Sequence, residues 1–176
     1  MSRTASSNRF STIVLNKMQV KLPALSVNEG MARATVAAFV SQLDPGVTEL
    51  ADIKCAVSEA VTNSIVHGYR NAAGHAAAGN ADAGEAGDTA GPGAIVITVS
   101  ILEGRAVKIE VKDKGCGIPD VKVARQPLYT TDAAGERSGM GFTVMESFTD
   151  LLRVTSKPGR GTTVTMYRKL SERRRI

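Results

Sequence analysis

Glu59 and Asn63 are the two residues of this 176-residue chain whose types and spacing best suit chemistry. They lie four apart in a helical pattern, so one side chain sits a turn above the other. A carboxylate stacked on an amide oxygen can share one site, the amide as a hard ligand for Mg²⁺ and the carboxylate as a base or water-positioning group. An ordinary solvated helix face has the same spacing. A further acid, Asp113, is next in phase after the alternating Val107, Ile109 and Val111, which aims it at the layer where helices pack. A carboxylate there needs a donor, and an exocyclic amine on a ligand would serve. A strand-end aspartate that simply enters the turn fits the position equally well.

Two glycine pairs follow. Asp113-Lys114-Gly115-Cys116-Gly117 lets a backbone approach a flat ligand without Cβ clashes. Arg137-Ser138-Gly139-Met140-Gly141 leads into an amphipathic helix carrying Phe142, Met145 and Phe148, and a glycine-rich entry to a helix N-terminus is an anion site. The polar stretch between the pairs is suited to closing over a ligand. Thr162 is in phase with Val164 and Met166, and a small hydroxyl beside Asp113 would complete the polar end of an apolar pocket.

The elements that must position these groups read as follows. Met18, Val20 and Leu22 alternate into a strand ended by Pro23. Ser26 and Glu29 have capping-box spacing and open a helix from about Val27 to Leu43, its apolar face Ala32, Val36, Phe39, Val40 and Leu43. After the turn Asp44-Pro45-Gly46, Thr48 serves as N-cap of the helix holding Glu59 and Asn63, with Leu50, Ile53, Val57 and Val61 facing a core and Gly68 as its C′ stop. Ile95 to Ile101 and Val107 to Val111 form a hairpin about Glu103-Gly104, and Leu152-Val154 and Thr162-Met166 form a pair about Pro158 to Gly161.

This order predicts an α+β fold, a two-layer sandwich whose mixed antiparallel sheet is covered on one face by helices. Residues 1–16 read as a loose extension, 17–170 as one domain, 71–93 as a flexible Ala/Gly-rich loop containing His75, 119–138 as a lid, and 171–176 as a basic tail.

With 43% hydrophobic and 22% charged residues the chain is of globular type. Its apolar runs are too short to cross a bilayer, and Met1-Ser2-Arg3-Thr4-Ala5 leads into no apolar signal core, so the expectation is a cytoplasmic protein without a membrane partner. The net charge of +5 is assigned largely to the segment from Arg168 to Arg175 as a solvated tail, and with no aromatic residues interleaved there, no direct nucleic acid partner is expected. Cys55 and Cys116 lack metal spacing and read as reduced thiols.

Taken together, Glu59 to Asn63, Asp113-x-Gly115-x-Gly117, Gly139-x-Gly141 and Gly161-Thr162 resemble, in order and spacing, the N, G1, G2 and G3 boxes of the GHKL (Bergerat) ATP-binding superfamily. Within it the chain is most similar to the anti-sigma factor serine kinases, through residues 24–29, 57–63 and 136–142. The similarity runs from about Met18 to Lys169 and departs in the N-terminal extension and the Ala/Gly loop.

The resemblance implies a GHKL-type sandwich that uses ATP and Mg²⁺. It assigns the adenine amine to Asp113, with Thr162 close by and Gly115 and Gly117 giving room, and Mg²⁺ to Asn63. The phosphate oxygens fall to Gly139, Met140, Gly141 and the lid residues Thr130, Thr131, Arg137 and Ser138. Glu59 becomes the base that receives a serine proton. As partners it implies a sporulation sigma factor of the sigma-F type, an anti-anti-sigma antagonist that is the phosphorylation substrate, and a second copy in a homodimer. Glu29 and Arg33, four apart on the first helix, are a candidate docking pair and equally an ordinary surface ion pair. A general-stress-type anti-sigma kinase and a nucleotide-gated sigma-binding module with little kinase activity stay open. A histidine-kinase-type domain would need a phosphoacceptor histidine near a helix start, whereas the two histidines are His67 at a helix end and His75 in the loop.

Overall fold

A computed structural model describes residues 10–69, 93–126 and 139–172. Strand β1 (Val14–Pro23) leads to helix α1 (Asn28–Val40), a 3-10 turn (Ser41–Leu43) and helix α2 (Val47–Asn63), which continues as a π-turn (Ser64–Gly68). Strands β2 (Ala94–Leu102) and β3 (Ala106–Lys112), short helix α3 (Val121–Ala124), helix α4 (Gly141–Ser147) and strands β4 (Leu151–Lys157) and β5 (Gly161–Lys169) complete the order.

The five strands form one sheet in the order β1-β2-β3-β5-β4, and every neighbouring pair is antiparallel, so the expected mixture contains no parallel pair. Alternation decides the faces. Ile95, Ile97, Val99, Val107, Ile109, Val111, Val164 and Met166 are buried towards the helices. From the helix layer Val36, Val40, Ile53, Val57, Ala60, Val61 and Met145 meet them in one core. Each such Val or Ile contributes about 1.5–3 kcal/mol by leaving water.

Local details differ from the sequence reading at five points. β1 begins at Val14, inside the stretch read as a loose extension, because β2 is long enough to pair it out to Leu102. The Ser26–Glu29 capping box does not form: Val27 is the N-cap without a side-chain bond, and Glu29 is drawn away to Arg33 and Ser58. Gly46, not Thr48, precedes α2, and its N–H donates to Glu49 Oε2 at 2.8 Å. Gly68 is no left-handed stop, since the chain continues in the π-turn and caps at Tyr69. Arg168 and Leu170 are not tail: Arg168 pairs with Asp52 at 3.3 Å and Leu170 is 2% exposed. The 71–93 loop lies outside the described residues except Gly93, which holds the Ala24 N–H at 2.6 Å. Among the described residues no helix is long and apolar enough to cross a membrane.

Candidate functional site

Asp113 follows the last residue of β3 and is 3% exposed, as its phase requires. It is not unpaired. Oδ1 accepts the N–H groups of Gly115 at 2.9 Å and Thr162 at 3.1 Å, and Oδ2 accepts the Ser64 hydroxyl at 3.1 Å. A carboxylate has about four lone-pair sites, so one on Oδ2 is left for a further donor. The donors that Asp113 was expected to need are supplied mostly by the backbone and Ser64, which hold it in place.

The loop after Asp113 is locked from several sides. Tyr69 Oη accepts the Lys114 N–H at 2.9 Å and donates to the Ala94 carbonyl at 2.8 Å. The Cys116 N–H donates to the Gly68 carbonyl at 2.8 Å, and its carbonyl accepts the Gly159 N–H at 2.8 Å. Gly117 adopts a positive φ of 72° and passes against the Lys157 carbonyl, a place where a Cβ has no room. Ser156 Oγ accepts the Ile118 N–H at 2.7 Å and donates to the Gly161 carbonyl at 3.1 Å. Its 2.9 Å contact with Thr162 Oγ1 must then use the threonine's proton, which leaves the Thr162 hydroxyl oxygen as an acceptor beside Asp113.

The second half of the site lies on α2. Glu59 and Asn63 are half-buried, and neither side chain has a hydrogen-bond or ion-pair partner among the described residues. Gly141, the first residue of α4, seats directly on them. A Cβ there would stand 3.0 Å from Glu59 Oε2 and 3.1 Å from Asn63 Nδ2. Met140 is the N-cap, Gly139 turns with φ of 63°, and Met145 inserts into the core to hold α4 down. The first intrahelical bond of α4 is Val144 N–H to the Met140 carbonyl, so the N–H groups of Gly141, Phe142 and Thr143 have no partner among the described residues.

Thus Glu59, Asn63, Gly139, Met140 and Gly141 come together at one end, and Asp113, Gly115, Gly117 and Thr162 at the other. The helix α2 and its π-turn join the two ends through Ser64. Thr130, Thr131, Arg137 and Ser138 lie outside the described residues. Glu29 and Arg33 lie on α1 and form an ion pair at 3.1 Å, with Glu29 also accepting the Ser58 hydroxyl. Ser64, Tyr69 and Ser156 were not singled out in the sequence. Ser64 and Ser156 carry a recoverable signal, for each is a polar residue in a buried phase.

Known proteins share this plan. A model of the histidine kinase-like ATPase domain matches residues 22–168. The chain is 46% identical over 157 residues to the anti-sigma F factor of Bacillus licheniformis, covering 89% of this chain and 94% of that protein. The chain belongs to the anti-sigma F factor family of histidine kinase-like ATPase domains. A family member from Clostridium acetobutylicum is also 46% identical, over 89% of this chain and 95% of its own length. The family fold recurs in the crystal structure of the RsbU and RsbW domains of Rv1364c from Mycobacterium tuberculosis. That match has a TM-score of 0.60 at 20% identity and covers 92% of this chain and 34% of the other.

Proposed function

We propose that this chain is an ATP-dependent anti-sigma factor and serine protein kinase. With ATP bound, it holds a sporulation sigma factor of the sigma-F type. It also phosphorylates a serine of that factor's anti-anti-sigma antagonist. One observation carries the reading: the glycine entry to α4 seats against Glu59 and Asn63, two half-buried polar side chains without a partner among the described residues.

The residues fit the nucleotide. The open lone pair of Asp113 and the oxygen of Thr162 are both acceptors, as an adenine amine requires. Free N–H groups at Gly141 and beyond suit phosphate oxygens. Asn63 offers an unclaimed hard oxygen to Mg²⁺, and bound Mg²⁺ would supply neutralisation of phosphate charge. Glu59 is free to accept a proton. As the serine oxygen bonds to phosphorus and the ADP oxygen leaves, Glu59 takes the hydroxyl proton.

The names of the 46%-identical relatives support the sigma factor as partner. In this reading the protein is a cytoplasmic homodimer, and Glu29 with Arg33 offers a docking pair on α1. The test is transfer of γ-labelled phosphate from Mg-ATP to the anti-anti-sigma protein, wild type beside Glu59→Ala. Serine-linked label that vanishes in the variant supports the kinase and its base. Tight ATP and sigma binding without label would replace it by a nucleotide-gated binding module.

A further inference from the structure

The sheet has a second face, opposite α1, α2 and α4, and its charge is one-sided. Alternation and register place Lys17 and Lys21 of β1, Lys108 and Lys112 of β3, and Arg153 and Lys157 of β4 on this face. Lys169 adds one more cation at the end of β5, and Glu110, paired with Lys108 at 3.0 Å, is the only acid at an outward strand position among the described residues. The surplus exceeds the net charge of +5 carried by the whole chain. Of the cations of the C-terminal segment, Arg168 turns inward to Asp52 and Lys169 joins this face.

Across β2, Lys17 stands level with Lys108 and Lys21 with Lys112, and the β4 pair is shifted from them by two residues. Each pair spans four residues of strand, about 13 Å, and the pairs stand on alternate strands, about 10 Å apart. Hydroxyl residues fill the positions between them: Thr98 pairs with Glu110, Ser100 with Lys108, and Thr163 with Lys112. Thr98 and Ser100 are buried, and Thr98 Oγ1 accepts the Gln19 side-chain amide at 3.0 Å.

We propose that this face binds the phosphate backbone of duplex nucleic acid without reading its sequence. Lysines with interspersed serine and threonine hydroxyls are the residue types that contact phosphate. The row of Lys17 with Lys108 and that of Lys21 with Lys112 stand about 13 Å apart, close to the width of about 12 Å between the phosphate ridges of a groove, and the β4 pair extends the charge displaced by two residues along the sheet. The composition disfavours other occupants. Protein interfaces are enriched in arginine and depleted in lysine, and Arg153 is the one arginine here. Single strands need stacking platforms, yet Tyr167 is the one aromatic on the strands of this face and its ring already lies 5.0 Å from that of Phe10. A second copy would bring like charges together. The exposed Ile13, Val14 and Leu15 lie at one corner rather than among the cations, which makes an anionic bilayer the competitor to exclude.

The experiment uses the full chain and a labelled DNA duplex of about 30 base pairs, read by fluorescence anisotropy from about 50 to 200 mM salt. The expected result is binding whose logarithm falls with the logarithm of salt at a slope of about −4 to −6. Lys17→Glu with Lys108→Glu, remote from Asp113, should weaken it at least about tenfold. Lys54→Glu with Lys122→Glu makes the same change of charge off the face and should cost less than about twofold. Unchanged circular dichroism and melting temperature establish that the variants fold. Three results overturn the proposal: no binding by the wild type at low salt, equal losses in both double variants, or phosphatidylserine vesicles or polyglutamate displacing the duplex at matched charge.

Discussion

Gly115 passes so close to Gly68 that a Cβ on Gly115 would overlap the Gly68 carbonyl oxygen. This contact locks the loop after β3 onto the π-turn after α2, and so ties the Asp113 end of the site to the helix bearing Glu59 and Asn63. Gly115→Ala should therefore destabilise the fold by about 2 kcal/mol or more, since the obstacle is backbone and not a flexible side chain. Gly30→Ala, in the first turn of α1 where the nearest atom would be the Arg33 guanidinium at 3.9 Å, should instead stabilise, by up to about 0.5–1 kcal/mol. Urea midpoints of the two variants against wild type decide the matter, and equal shifts would contradict the contact.

Asp113→Asn keeps the shape of the side chain but presents an NH₂ where the carboxylate offers a lone pair. It also weakens the bonds from Ser64, Gly115 and Thr162. ATP affinity should fall about tenfold or more, read by calorimetry, because a donor then faces the adenine amine. Unchanged affinity would remove Asp113 from the adenine site.

Glu59→Ala should abolish phosphoryl transfer, with a loss of about 10²–10⁴-fold, while ATP still binds. Glu59 has no partner among the described residues, so its removal should leave the melting temperature nearly unchanged. Normal turnover by the variant would exclude it as the base.

Gly141→Ala sets a methyl group 3.0 Å from Glu59 Oε2 and 3.1 Å from Asn63 Nδ2. Those side chains can give way, so the cost in stability should stay below about 1 kcal/mol. Transfer should suffer more, since misplacing a reacting group by about 1 Å costs about 10²-fold. Comparing urea midpoint with turnover separates the two effects.

Burial would raise the Glu49 carboxyl, but the N–H groups of Ser171 and Gly46, with Arg168 nearby, hold it below the ordinary 4.5. The charged form is thus favoured in the folded state. Its contribution is complete above the unfolded pKa of about 4.3 and is lost as pH falls through the lower folded value. Glu49→Gln should lower the urea midpoint at about pH 7, and the gap to wild type should shrink below about pH 4. A gap independent of pH would show that the charge has no part in this clip between α2 and the chain after β5.

The sequence by itself determined the layers and the inward residues, because periods of 2 and 3.6 report which side of an element leaves water. It placed Asp113 inward from β3 phase alone, and it placed Glu59 and Asn63 one above the other on α2. Their grouping with Gly139-Gly141 and Thr162 was legible only through resemblance to a family. Helix stops and caps were misread at Glu29, Thr48 and Gly68, since each of those groups, or a rival at its cap, has a partner on another element. The tertiary structure alone decided that Ser64 and Ser156 complete the polar end of the site, and that Gly68 supports Gly115. It also gathered cations from β1, β3 and β4 on one face. Contacts between residues 49 or more apart in the chain, as in Ser64 with Asp113, depend on how the strands pair and how the helices lie on them. No local pattern encodes that, because the free energy selecting it comes from the whole core packing at once.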